Sequence, residues 1–93
     1  MKKLHVYAGQ RLSRQFHQKK DETVYVAGGT LLLDLSRNDD ETNIKELSIG
    51  ESWRITPNTI HRFCAPKDQP VELFEVSTPE LDDVVRLQDD YGR

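Results

Sequence analysis

Gln15, His17 and Glu22 place an amide, an imidazole and a carboxylate in one short segment, with Lys19 and Lys20 between them. These are donor types that hold divalent cations, and the last two are also types that move protons. Side chains two apart on a strand share a face, so Gln15 and His17 point the same way if the segment is extended. A tight turn at 18–21 then returns Glu22, at the start of the next strand, toward His17. A further corner must come from elsewhere, and the remaining imidazoles are His5 and His61. His61 follows a turn-forming Thr-Pro-Asn run, whereas His5 sits between Lys3 and Tyr7 in a first strand and reads as an edge position. The predicted metal set is therefore His17, Glu22 and His61, with Gln15 as fourth ligand. Two imidazoles, a carboxylate and an amide oxygen suit Zn²⁺, Mn²⁺, Fe²⁺ or Ni²⁺. The alternative is that both histidines are simply hydrogen-bonded inside the fold, with Gln15 orienting a neighbour.

The elements that position these residues are short strands. Segments 3–7, 11–17, 22–27, 30–36, 44–47, 52–55, 61–65 and 71–77 are apolar, β-branched or alternating, and Gly, Pro, Asn and Asp punctuate them. Gly28-Gly29 reads as a hairpin signal, and the polar run 37–43 as a loop tip. No stretch sustains a helical apolar period. Regular short strands predict an all-β sandwich or barrel. Residues 79–93 form a tail, either a helical turn after Thr78-Pro79 or an extended segment packed on the barrel or on a partner. Trp53, Tyr25 and Phe63 read as core or dimer contacts, and Cys64 as a small buried apolar residue.

Composition bounds the rest. The 93 residues form one domain, 35% hydrophobic and 31% charged. A chain so short buries only about 60% of its unfolded surface, so association as a homodimer is expected on energetic grounds. The net charge of −3 lies in the tail, where Glu80, Asp82, Asp83, Asp89 and Asp90 outweigh Arg86 and Arg93. Basic residues form no stripe with interleaved aromatics, which argues against nucleic acid. The lone Cys64 excludes an intrachain disulfide and fits a reducing compartment. No membrane-length apolar run is present, so a soluble cytoplasmic protein is expected.

The residues resemble a small single-domain cupin, which implies a double-stranded β-helix, or jelly-roll barrel. The first cupin motif is a glycine, two alternate histidines, a glutamate and a closing glycine. It reads as Gly9, His17, Lys19, Glu22 and Gly29, with His17 later than the usual count and Lys19 in place of the second histidine. The second motif reads as Gly50, Thr56, Asn58, His61 and Ala65, where Asn58 replaces a glycine and tolerates a left-handed backbone. A narrower likeness is to the cupin domain of guanylyltransferase-linked mannose-6-phosphate isomerases. Ser13, Gln15, His17, Lys20 and Glu22 match its first motif, with Lys20 for an arginine, and residues 81–93 resemble its closing segment. A zinc-dependent class of these isomerases resembles this chain in pairing a Gln-x-His with a glutamate and a later histidine. The resemblance implies a divalent metal, a small ligand such as a sugar phosphate, Lys20 and Lys19 as substrate-binding cations, and aldose–ketose isomerisation. A non-catalytic module for a metal or carbohydrate-like ligand, or an iron oxygenase built on two histidines and a carboxylate, are the alternatives. No general base is evident among the residues left over, and Arg86, Tyr91 and Arg93 are read as docking the tail.

Overall fold

The computed structural model describes residues 1–36, 42–79 and 84–88. Among them every regular element is a strand: β1 (Lys2–Val6), β2 (Arg14–His17), β3 (Glu22–Gly28), β4 (Leu31–Ser36), β5 (Asn43–Leu47), β6 (Ser52–Ile55), β7 (Ile60–Cys64), β8 (Val71–Ser77) and β9 (Val84–Gln88). They form a four-stranded sheet, β1-β8-β3-β6, and a five-stranded sheet, β5-β4-β7-β2-β9. All pairings are antiparallel. This is the all-β sandwich that the strand pattern predicts, in the jelly-roll form that the cupin resemblance implies. No helix among the described residues is long and apolar enough to cross a membrane.

Period-two alternation builds the core between the sheets. Val24 and Val26 of β3, Val71 and Leu73 of β8, and Ile55 of β6 face Leu31 and Leu33 of β4, Leu47 of β5 and Phe63 of β7. Each such side chain contributes about 1.5–3 kcal/mol by leaving water. Toward one end the same inward positions turn polar. Glu22 continues the inward face of β3, Glu75 that of β8, and His61 that of β7, all buried. The site is thus the polar end of the core, carried on the same alternation.

Two predicted hairpins do not form. β2 and β3 lie in different sheets, as do β3 and β4, so segment 18–21 and Gly28-Gly29 cross between layers. A turn signal fixes where the chain bends; which sheet receives the next strand is decided by tertiary packing. At the second crossing the bend is tight. Gly29 has φ +75°, and a Cβ there would lie 2.2 Å from the Pro70 carbonyl oxygen. Only glycine satisfies both conditions.

The tail segment 84–88 is extended and pairs with β2, so the helical alternative is not realised there. Tyr91, Arg93 and the polar run 37–41 lie outside the described residues. Cys64 also departs from expectation. It is half-buried on the outer face of its sheet, in a depression lined by Arg11, Arg14, Asp34 and Arg62 as well as by Ile44 and Leu87. Phe63 is core, while Trp53 is 37% exposed with the Lys45 ammonium 4.4 Å above its ring.

Candidate metal centre

His17, Glu22 and His61 converge, and their ligand atoms all lie within 4.8 Å of one another. All three are buried. His17 closes β2 and His61 sits near the start of β7, neighbouring strands of the five-stranded sheet. Glu22 opens β3 in the opposite sheet and reaches them across the layer. The glutamate therefore meets the histidines face to face, not around a hairpin. Its Oε1 lies 2.8 Å from His61 Nε2 and 3.5 Å from His17 Nε2.

Local backbone chemistry delivers His61. The Thr56–Thr59 turn places Asn58 at φ 67°, the left-handed conformation expected of an asparagine in a glycine position. The Asn58 amide donates to the His17 carbonyl at 2.7 Å, which ties this turn to the end of β2. His61 Nδ1 then lies 3.0 Å from the Thr59 carbonyl. A carbonyl can only accept, so Nδ1 carries the proton, and in the neutral ring the Nε2 lone pair is directed at Glu22.

The consequence is electrostatic. Glu22 Oε1 and His61 Nε2 are both buried, and neither makes an aligned hydrogen bond despite their 2.8 Å approach. With His61 neutral, the two facing lone pairs repel out of water unless a proton or a metal cation lies between them. Burial raises the Glu22 carboxyl pKa, but a proton on the His61 ring, the Glu75 hydrogen bond and His17 outweigh it and hold the group below its ordinary value. In the metal-free fold that proton occupies the place a metal cation would take. The carboxylate is thus charged and ready to ligate. On the chemistry of its donors, this set fits a divalent transition metal.

Gln15 is adjacent. It pairs with His61 across β2 and β7. Its Oε1 accepts from Ser13 Oγ at 2.7 Å, and its Nε2 lies 3.5 Å from His17 Nε2. The amide nitrogen faces the site in this rotamer, and reversing the amide would present the oxygen. Lys19 is exposed and Lys20 half-buried in the crossing after β2, and neither lines the cavity beside the metal set. His5 is exposed on edge strand β1, 3.2 Å from Glu72.

The strand ends clarify the first motif. The first motif puts five residues between its glycine and its first histidine; counted from Gly9 this arrives at Gln15, and the next alternate position is His17. Both lie on β2 and face the site, whereas Lys19 lies past the end of the strand. The residue that replaces a motif histidine is therefore Gln15 and not Lys19, which lies beyond the strand that carries the motif.

Glu75 is the group that the reading of the sequence missed. It faces inward beside Glu22, and burial, then the Glu22 charge and hydrogen bond, push its pKa up to about 7, with Lys2 and Lys20 pulling it back. Its signal was strand parity, since Glu75 is in phase with Val71 and Leu73 on β8. A cavity of about 260 Å³ opens beside these residues, and Gln15, His61 and Glu75 are part of its lining.

Comparison with known proteins gives a consistent picture. Residues 1–89 match the family described as mannose-6-phosphate isomerase C-terminal. The chain is 34% identical over its whole length to the alginate biosynthesis protein AlgA of Pseudomonas aeruginosa. It is 35% identical to the mannose-1-phosphate guanylyltransferase of Escherichia coli. It spans only 19% of each of these relatives. Among solved structures, the capsular polysaccharide assembling protein CapF of Staphylococcus aureus superposes with a TM-score of 0.80 at 19% identity, over 92% of this chain and 27% of that one. A cupin-superfamily sugar phosphate isomerase of Silicibacter pomeroyi gives 0.70 at 23% identity, over 84% and 48%. These two likenesses establish the fold.

Proposed function

The chain belongs to the mannose-6-phosphate isomerase C-terminal family, and from that membership we propose that it is a metal-binding cupin serving aldose–ketose isomerisation of a sugar phosphate. The observation that carries the proposal is the buried approach of Glu22 Oε1 to His61 Nε2 at 2.8 Å without an aligned hydrogen bond. An imidazole nitrogen and a carboxylate oxygen this close and this buried need a cation between them, and a divalent metal ion shared with His17 meets that need.

His17, Glu22 and His61 hold the metal, with Gln15 beside them. When bound, the ion supplies Lewis-acid polarisation of a carbonyl and its adjacent hydroxyl. The Thr59 carbonyl fixes the His61 tautomer, and ligand orientation of this kind tunes a metal site. Glu75 handles the proton. Its carboxyl lines the cavity, and in the metal-free fold burial and the Glu22 charge push it up to about 7, toward the range where a general base both accepts and returns a proton efficiently. Isomerisation needs one group to take a proton from one carbon and deliver it to its neighbour. The buried Phe63, with Leu4 and Leu12, forms the apolar part of the same lining.

The test is metal content of the purified protein for wild type and His61→Ala, together with interconversion of mannose 6-phosphate and fructose 6-phosphate. The expected result is about one divalent ion per wild-type chain, none in the variant, and turnover only in the loaded wild type. A wild type that takes up neither Zn²⁺, Mn²⁺, Fe²⁺ nor Ni²⁺ would overturn the proposal.

A further inference from the structure

The cavity beside the metal set draws on both ends of the described chain. Lys2 on β1 and Arg86 on β9 line it together with Ser13, Gln15, His61 and Glu75. β1 is an edge of the four-stranded sheet and β9 an edge of the five-stranded one. The two cations thus flank the opening from opposite layers.

Arg86 is aimed there by an irregularity in strand pairing. Gln15 pairs with Arg86 while the preceding Arg14 pairs with Gln88, so Leu87 is the extra residue of a bulge. A bulge re-aims the side chains on either side of it. Gln88 turns to the outer face, where its side chain and carbonyl accept from Arg62 at 3.2 and 3.3 Å. Arg86 stays on the face of Gln15 and lines the cavity. Without the extra residue, strict alternation would put Arg86 and Gln88 on the same face. Among the described residues the Arg86 side chain makes no hydrogen bond or ion pair. Glu75, the one carboxylate in the lining, is already engaged with Glu22.

A planar guanidinium without a side-chain partner among the described residues, lining a polar cavity, matches a phosphoryl group, which it can bind through paired donors. The cavity volume of about 260 Å³ falls just below the ~300–1,000 Å³ of ordinary small-molecule pockets. That suits a monosaccharide-sized ligand, not a nucleotide sugar. We propose that Arg86, assisted by Lys2, is the specificity-determining anchor for a phosphoryl group on the ligand whose other end meets the His17, Glu22 and His61 set. The proposal rests on the isomerase reading only for what happens at that far end. It makes β9 part of the binding site and not merely a covering strand.

The experiment is calorimetric binding of fructose 6-phosphate, inorganic phosphate and unphosphorylated fructose, with and without added zinc. Wild type is compared with Arg86→Gln, Arg86→Lys and Lys2→Gln, and circular dichroism with thermal melting confirms that each variant folds. Arg86→Gln should weaken fructose 6-phosphate and inorganic phosphate by about tenfold or more, as expected for loss of a charge-assisted pair. Arg86→Lys should recover part of that loss, and Lys2→Gln should show a smaller one. Fructose binding and zinc content should stay unchanged in all three. Equal losses for fructose and its phosphate would overturn the anchor, because Arg86 would then only shape the cavity. Wild type that ignores phosphate in both forms overturns it too. Arg86-dependent phosphate binding in a protein that takes up no metal would support the anchor while removing the isomerase reading. Normal zinc uptake with phosphate binding indifferent to Arg86 would do the reverse.

Discussion

His61 and Arg62 are consecutive on β7, both almost fully buried, and opposite in what they do with their polar atoms. Arg62 points to the outer face, donating Nε to the Leu12 carbonyl at 2.8 Å and both terminal nitrogens to Gln88. His61 points inward, commits Nδ1 to Thr59 and leaves Nε2 facing a carboxylate without an aligned bond. Burial of a polar side chain therefore does not mark a functional group. An incompletely satisfied donor set, held rigidly by satisfied neighbours, is the better mark. Asp34 Oδ1, also without a hydrogen-bond partner, is an outer-face exception, a carboxylate in the depression that Arg11, Arg14 and Arg62 line.

The largest effect should come from the outer residue. Arg62→Ala removes the donors of the Leu12 carbonyl and of Gln88 together, and should cost about 3 kcal/mol or more of stability. Metal uptake per folded molecule should be retained, since the side chain lies on the other face of the sheet. Chemical denaturation with metal analysis checks both. A loss below about 1 kcal/mol would mean that the network is ornamental and the contrast with His61 empty.

Next comes the pH dependence contributed by Glu75 in metal-free protein. Its carboxyl is raised from 4.5 to about 7 in the fold, so between those values the folded chain keeps a proton that the unfolded chain releases. Stability from this group is complete below pH 4.5 and declines as pH rises toward 7. Glu22, whose pKa is lowered, acts in the opposite direction at the acid end, losing its contribution as pH falls through its folded value. Melting temperature of Glu75→Gln across this range should lack the decline. A parallel curve for wild type and variant would show that Glu75 is not the buried proton carrier.

The smallest change is expected for His61→Leu without metal. The substitution removes the facing lone pairs but also the bond to Thr59, so stability should move by no more than about 1 kcal/mol. Metal binding should nevertheless disappear. A large destabilisation would place His61 with Arg62 as a structural residue and erase the distinction between them.

Much of this was legible in the strand alternation. Period two assigned Gln15 and His17 to one face, and the turn before His61 identified it as the partner imidazole. Glu75 was equally visible, in phase with Val71 and Leu73, but a carboxylate in a strand reads as solvent-facing until something shows that the strand is central. β8 is central, between β1 and β3. The two crossings at 18–21 and 28–29 were legible as turns but not as changes of sheet, because turn chemistry is local and sheet membership is not. Arg86 was hidden for a similar reason. A bulge depends on how β9 lies against β2, and no residue pattern within 84–88 announces it.

The crossing of layers at Glu22 has a mechanical consequence. The carboxylate belongs to one sheet and both imidazoles to the other, so an ion gripped by all three buckles the sandwich shut. Strand slippage or splaying of the sheets at that end must first release the ion. Occupancy and cohesion of the two layers then become one variable, with about 2.7 kcal/mol added to folding at a hundredfold excess of free ion over its dissociation constant. A small domain with a limited core would in this way set its own durability by the metal supply around it.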